Sequence, residues 1–90
     1  MQNDFCTGGA LAVNDGETII ESINTVQEEF DNIILTQDWH PKEHSSFASN
    51  HNAEVYSNVE MDYGSQILWP NHCIQGSIGA NFHRDLNTDK

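Results

Sequence analysis

A helical apolar pattern followed at once by a short apolar run narrows the folds open to this chain. Five apolar residues recur at helical spacing: Ile19, Ile20, Ile23, Val26 and Phe30. They predict an amphipathic helix over residues 16–29. The apolar residues that open the next segment, 33–39, suit a strand buried on both faces. A helix that leads into a buried strand predicts a βαβ unit of a parallel sheet, with its first strand at or before Met1.

The ends of these elements carry their own signals. Asn14 and Glu17 stand three residues apart, a spacing that resembles a capping box and predicts the start of the helix. Residues 41–81 are mostly polar, contain Pro, Gly, Asn and Ser, and show no lasting period. They predict a long loop, and loops of this length are usually functional or disordered.

Charge and length limit the classes of function. The chain has 90 residues, enough for one domain with a thin core, and its formal net charge is -11. Such a surface repels phosphate backbones and anionic lipids, so we expect no nucleic-acid and no membrane partner. The first residues lack the pattern of a secretory signal, which favours the cytoplasm. In a reducing cytosol, Cys6 and Cys73 are expected to be free thiols rather than a disulfide.

Two short motifs could hold a metal ion. In "DWH", Asp38 and His40 are two apart at the end of the predicted strand, so their side chains share a face with Cα atoms roughly 6.5 Å apart. His72 of "WPNHC" is the best candidate for a third ligand. Two histidines and a carboxylate leave positions open for water or substrate, a set that suits zinc, iron or manganese. His44 could be another ligand, a partner of the ligands, or neither.

The same residues also permit a reading without any site. A D-x-H pattern occurs often by chance, and His72 with Cys73 could be ordinary loop residues. Trp39 and Trp69 could simply anchor the loop to the core, as large aromatic side chains commonly do. Two further histidines receive no role: His51 and His83.

Three stretches, taken together, carry a family resemblance: "MQNDFCTGGALAV", "TQDWHPKEHSSFASNH" and "LWPNHCIQGSIGANFH". In this order they resemble the N-terminal half of the nicotinamidases, in the isochorismatase-like cysteine hydrolase superfamily. The resemblance covers nearly all of the chain. It implies a three-layer α/β/α fold with a parallel sheet and Rossmann-like topology. Residues 1–90 would be a partial domain, with a truncated first strand and a missing C-terminal half.

The resemblance also implies a reaction, the hydrolysis of nicotinamide to nicotinate and ammonia in NAD salvage. Asp38, His40 and His72 match the residues that hold a divalent metal, with Zn²⁺ expected first and Fe²⁺ or Mn²⁺ as alternatives. The metal would orient the pyridine nitrogen of nicotinamide. Phe5 and Trp69 match residues that pack on the substrate ring.

Further roles are implied less directly. His44 and Ser46 match positions near the metal that act through water. The general-base aspartate would stand immediately before Met1, and the lysine and the nucleophilic cysteine would lie beyond Lys90. Neither Cys6 nor Cys73 matches that nucleophile. We therefore expect the chain alone to be poorly folded and without hydrolytic activity. The possibility that the full-length protein forms a homo-oligomer is left open.

Two other functions compete with this one. The first is another hydrolase of the superfamily, such as an isochorismatase-type vinyl-ether hydrolase. Those enzymes generally lack the paired D-x-H and W-P-x-H-C motifs. The second is a non-catalytic acidic metal-binding fragment that uses the same three ligands for storage or interaction.

Overall fold

The computed structural model describes residues 1–89. Its regular elements are 3-10 turns at Asn3–Phe5, Gly16–Ile19 and Ala48–Asn50, helix α1 (Ile20–Gln27), and strands β1 (Asn58–Met61) and β2 (Gly64–Ile67). Main-chain hydrogen bonds within turns and between loops connect many of the remaining residues. No helix among the described residues is both long and apolar enough to cross a bilayer.

The helix predicted over 16–29 is confirmed in position, but it consists of a 3-10 turn followed by α1 and ends two residues early. The predicted capping pair of Asn14 and Glu17 is wrong, because no side chain caps either part. Glu17 instead accepts hydrogen bonds from the main-chain N–H and the hydroxyl of Thr7. Its carboxylate therefore connects the start of the helix to the N-terminal loop.

The segment at 33–39 does not form the buried strand that the sequence predicts. The side chain of Ile34 is 88% exposed, and no segment among residues 1–89 pairs along this stretch. Its C-terminal end is anchored, since His40 forms a parallel bridge with Ile74. A buried strand needs hydrogen-bonding neighbours and cover on both faces, and the described residues provide neither here.

The sheet of the described residues is an antiparallel hairpin, so they do not form the predicted parallel sheet of a three-layer fold. In its register, Asn58 lies opposite Ile67 and Met61 lies opposite Gly64. The prediction of a loop throughout 41–81 is wrong for these two strands. Gly64 has a φ of 124°, a conformation that side chains disfavour, and it follows the two-residue turn. Helix and strands together agree with an α/β fold class.

The core is thin, as predicted, and it lies beneath the loops. Phe47, Leu68 and Cys73 are its largest fully buried side chains. Five other apolar residues are also buried: Cys6, Ile20, Ala48, Ala80 and Leu86. A parallel bridge between Phe47 and Trp69 joins the loop before the hairpin to the segment after it. The two segments that carry the sequence motifs therefore form the core themselves, which places the candidate site directly against it.

Candidate metal centre

The three predicted metal ligands lie together. Asp38, His40 and His72 each offer one ligand atom, and these atoms are within 4.8 Å of one another. The main-chain N–H of His40 donates to the carbonyl of Cys73 at 2.8 Å, and that of Gln75 donates to the carbonyl of His40 at 2.8 Å. These bonds hold the two motifs side by side. The exposed Asp38 and the buried His72 place the cluster at the protein surface.

Hydrogen bonds to carbonyl oxygens orient both histidines. The Nδ1–H of His40 donates to the carbonyl of His72 at 3.1 Å, and the Nδ1–H of His72 donates to the carbonyl of Pro70 at 2.8 Å. A carbonyl oxygen can only accept, so the proton of each neutral ring is on Nδ1 and Nε2 keeps its lone pair. Histidines that bind metals usually have this arrangement. The Nε2 lone pairs of both imidazoles are therefore available to coordinate a cation.

His44 has the opposite tautomer. The main-chain N–H of Ser46 donates to His44 Nδ1 at 3.2 Å, and the Ser46 hydroxyl oxygen lies 2.7 Å from the same nitrogen. Because Nδ1 accepts the amide hydrogen, the proton of the neutral ring is on Nε2. Burial lowers the pKa of His44, and the neighbouring His40 and His72 lower it further. His44 is thus suited to donate a hydrogen bond at the site rather than to serve as a third imidazole ligand.

Phe47 lies at the centre of these histidines. Its ring centroid is 5.3 Å from that of His40, 5.6 Å from that of His44 and 5.4 Å from that of His72. The side chain is completely buried. The sequence pattern indicates no role for it, although it ends the "HSSF" stretch. Phe47 provides the apolar base on which all three imidazoles rest.

The two predicted ring-binding residues have different surroundings. The ring of Phe5 meets that of His72 edge-on, with centroids 5.7 Å apart. The ring of Trp69 meets Tyr56 at 5.9 Å, also edge-on. The main chain of Trp69 is fixed near the site, because its N–H donates to the carbonyl of Ser46 at 2.8 Å. Phe5 therefore borders the cluster directly, whereas Trp69 borders it through its main chain.

Neither cysteine has the character of a nucleophile. Both thiols are free and buried. Burial raises the pKa of Cys73 to about 11, with the carboxylates of Asp4 and Asp38 adding to the effect. Burial also raises the pKa of Cys6, and Glu17 raises it further. A catalytic cysteine needs a depressed pKa so that the thiolate is available, and the environment of both residues does the reverse.

Two further histidines, His51 and His83, lie outside the cluster. His51 contacts the carbonyl oxygen of Ser45 through Nε2 at 2.6 Å. His83 accepts a hydrogen bond from the main-chain N–H of Asp85 at 3.1 Å. Both rings take part in local loop contacts, which makes His51 a useful control position for the site.

Known proteins match this chain in sequence and in structure along most of its length. The nicotinamidase of Acinetobacter baylyi is 47% identical over 88 residues, which are 97% of this chain and 41% of that protein. A solved Acinetobacter baumanii nicotinamidase pyrazinamidease matches with a TM-score of 0.93 and 55% identity, over 98% of this chain and 43% of that one. This chain is homologous to the nicotinamidases. It spans about two fifths of the length of these relatives, and no family model matches it.

Two further nicotinamidase relatives were solved with bound groups. The pyrazinamidase of Pyrococcus horikoshii, in complex with zinc, has a TM-score of 0.71 and 36% identity, over 99% of this chain and 44% of that chain. The yeast nicotinamidase bound to the inhibitor nicotinaldehyde has a TM-score of 0.83 and 34% identity, over 94% of this chain and 46% of that chain. The matched segment thus occurs in one relative solved with zinc and in another solved with nicotinaldehyde.

Proposed function

We propose that this chain forms the metal- and ring-binding part of a nicotinamidase, which hydrolyses nicotinamide to nicotinate and ammonia. One observation carries the proposal: Asp38, His40 and His72 gather their ligand atoms within 4.8 Å in a chain homologous to nicotinamidases.

The donor set fits a divalent ion, with Zn²⁺ as the proposed metal and Fe²⁺ or Mn²⁺ as alternatives. Zinc bonds to nitrogen and oxygen ligands are about 2.0 to 2.2 Å long, so ligand atoms lie within roughly 4 Å of one another. The spread of 4.8 Å needs one side chain to approach, and the exposed Asp38 has room to do so. The histidine orientations and the net charge of -11 both favour a cation. When bound, the ion would supply a Lewis acid that holds the ring nitrogen of the substrate.

The surrounding side chains would place the substrate. Phe5 borders His72 and offers an aromatic surface for a flat ring. Trp69 is proposed to contribute a second aromatic surface from the opposite loop. His44 would donate its Nε2–H to a polar group in the site, and Ser46 would fix the tautomer that makes this possible.

The remaining catalytic groups are proposed to lie outside these 90 residues. The general-base aspartate, the lysine and the nucleophilic cysteine have no counterpart here, and the raised pKa values of Cys6 and Cys73 support this assignment. We also propose that residues 33–39 form a strand of a parallel sheet in a three-layer α/β/α fold once neighbouring strands are present. The exposed Ile34 side chain is a surface that such a fold would cover.

We place the reaction in NAD salvage in the cytoplasm. Nicotinate, the proposed product, carries the pyridine ring that NAD synthesis needs. Two buried thiols that form no disulfide are typical of a reducing compartment such as the cytoplasm. Both statements depend on the proposed reaction.

A chimera tests the proposal. The segment of the Acinetobacter baylyi nicotinamidase that aligns with this chain is replaced by the chain, and ammonia release from nicotinamide is measured. We expect activity that a metal chelator removes and that added Zn²⁺ restores. His51→Ala in the chimera is expected to keep this activity, because His51 lies outside the cluster.

Other outcomes would favour the competing functions. A folded chimera that binds Zn²⁺ but cleaves no nicotinamide would contradict the proposal and support a non-catalytic metal-binding chain. Cleavage of a vinyl ether in preference to nicotinamide would support another hydrolase of the superfamily. The 90-residue chain by itself is expected to release no ammonia, and activity there after rigorous purification would show that the nucleophile lies within it.

A further inference from the structure

We propose that Gln2 and Asp4 are positioning residues that hold the metal-bearing segments at the correct separation. Gln2 binds the main chain of Asp38, and Asp4 binds the main chain of Cys73, next to His72. Neither side chain is among the candidate ligands. The inference rests on the proposed metal function and assigns two further residues to it.

Gln2 pairs with Asp38 as a strand neighbour would. Its amide Nε2–H donates to the carbonyl of Asp38 at 2.7 Å, and its Oε1 accepts the N–H of Asp38 at 2.8 Å. Nε2 also donates to the carbonyl of Ala80 at 2.8 Å. The residue is only 3% exposed, so a loss of these bonds would leave buried polar groups without partners. The Gln2 side chain thus makes the two main-chain hydrogen bonds to Asp38, a candidate ligand, that a neighbouring β-strand would otherwise make.

Asp4 performs the corresponding role for the second segment. Its Oδ2 accepts the N–H of Cys73 at 2.7 Å, and its Oδ1 accepts the N–H of Ala10 at 3.2 Å. Cys73 has a φ of 49°, a left-handed conformation that residues other than glycine seldom adopt. Its carbonyl accepts the N–H of His40 at 2.8 Å. Cys73, the residue that follows His72, is therefore held at its N–H by Asp4 and at its carbonyl by the candidate ligand His40.

The Asp4 carboxylate packs directly against the main chain of Gly79. Gly79 has no side chain, and a Cβ at that position would overlap the carboxylate oxygens. The main-chain N–H of Asp4 also donates to the carbonyl of Gly79 at 3.0 Å. The loop after His72 thus closes around the acid and leaves room for nothing larger than glycine.

The two side chains reach different segments from a single short turn. Residues 2 and 4 are two positions apart in the chain, while their partners lie 36 and 69 positions away. Both contacts are to main-chain atoms, so they determine where the ligands stand without touching the ion. A change at either residue should alter the affinity for metal while the ligands themselves are intact.

Isosteric variants test the inference. Gln2→Glu would place a carboxylate oxygen against the carbonyls of Asp38 and Ala80, and Asp4→Asn would lose one of two accepted bonds together with the charge. Gln37→Glu is the matched control for the first variant, because Gln37 donates to the same Ala80 carbonyl from an exposed position at 3.1 Å. Asp62→Asn, in the exposed turn of the hairpin, is the control for the charge.

Zn²⁺ affinity is measured for the chain by competition with a chromophoric chelator, with circular dichroism to report the fold. We expect Gln2→Glu and Asp4→Asn to weaken binding by about 10-fold or more, as is typical when partners of metal ligands are changed. The controls should stay within about two-fold of the parent chain. Unchanged affinity in both test variants would overturn the inference. If a variant does not fold in the 90-residue chain, the same measurement is made in the nicotinamidase chimera.

A metal-free measurement separates this inference from the proposed function. Hydrogen exchange reports the main-chain amides of Asp38 and Cys73, which the two side chains hold directly. If neither the parent chain nor the nicotinamidase chimera binds Zn²⁺, the metal proposal is wrong. In that case, faster exchange of Asp38 in Gln2→Glu and of Cys73 in Asp4→Asn would still support positioning. Unchanged exchange would contradict it.

Discussion

The Nδ1 atom of His40 lies 3.1 Å from the main-chain carbonyl oxygen of His72, so one candidate ligand is oriented by the backbone of another. This contact joins the "DWH" and "WPNHC" motifs at the level of the site itself. It also separates two roles of His72, because its side chain offers a ligand while its carbonyl fixes the ring of His40. The two roles can be tested independently.

Replacing His72 with alanine should remove a ligand and leave the orientation of His40 intact. The carbonyl that accepts the His40 Nδ1–H is still present in His72→Ala. We expect Zn²⁺ affinity to fall by more than about 100-fold, since loss of a ligand should exceed the 10-fold to 100-fold cost of losing a ligand's partner. Chelator competition measures the change. His51→Ala is the control, and an equal loss in that variant would mean that the zinc is not bound at the cluster.

Replacing Phe47 with alanine should destabilise the fold and the site together. The ring is completely buried among three imidazoles, so its removal leaves a cavity. Phe→Ala changes in cores cost about 3 to 5 kcal/mol. We expect a loss of that size in the free energy of unfolding of the chimera, measured in urea. Phe30→Ala, at a position 55% exposed, should cost far less, and equal losses would contradict the central place of Phe47.

Alkaline pH should destabilise the folded chain through Cys73. Burial raises the pKa of this thiol to about 11, so the folded state disfavours the thiolate relative to the unfolded state. A group with a raised pKa stabilises the fold below its unfolded pKa, and this contribution is lost as the pH rises from about 9 towards about 11. Urea unfolding at successive pH values should show the decline. It should be smaller in Cys73→Ser than in Cys6→Ser, and equal slopes would rule out Cys73 as the cause.

Gly79 and Asp4 should behave as a coupled pair. A side chain at Gly79 would overlap the Asp4 carboxylate, so Gly79→Ala should weaken Zn²⁺ binding by about 10-fold through displacement of that acid. In an Asp4→Ala background the overlap is gone, and the same change should add less than about two-fold. Because residues in contact give non-additive effects, a double-mutant cycle on Zn²⁺ affinity measures the coupling. Additive losses would show that the two positions act separately.

The sequence predicts the ligand set better than the fold around it. Asp38 and His40 are two residues apart and His72 lies in a second motif, so the residues make a common site one of two open readings, and the family resemblance is what assigns it. The helix is also predictable, because apolar residues recur at helical spacing from Ile19 to Phe30. The strand at 33–39 is not confirmed, since a strand depends on neighbours that its own pattern does not specify.

Other features depend on contacts between distant residues. The pairing of Gln2 with Asp38 spans 36 positions, and that of Asp4 with Cys73 spans 69. A single sequence contains no signal for such pairs. The hairpin escapes prediction because each strand has only four residues, too few for a clear alternation. Phe47 gives no chemical signal either, because an apolar residue in a polar loop is common.

The stretch at 33–35, in which Ile34 and Leu35 are exposed, has a practical consequence for work with the isolated polypeptide. Its apolar side chains and unpaired main chain make it a template on which a second copy could add an intermolecular strand. Such self-association grows with concentration and would compete with ion uptake in every titration. Ile34→Lys is the natural gatekeeper change, since a charge at an open edge discourages fibril-like stacking without touching the ligands.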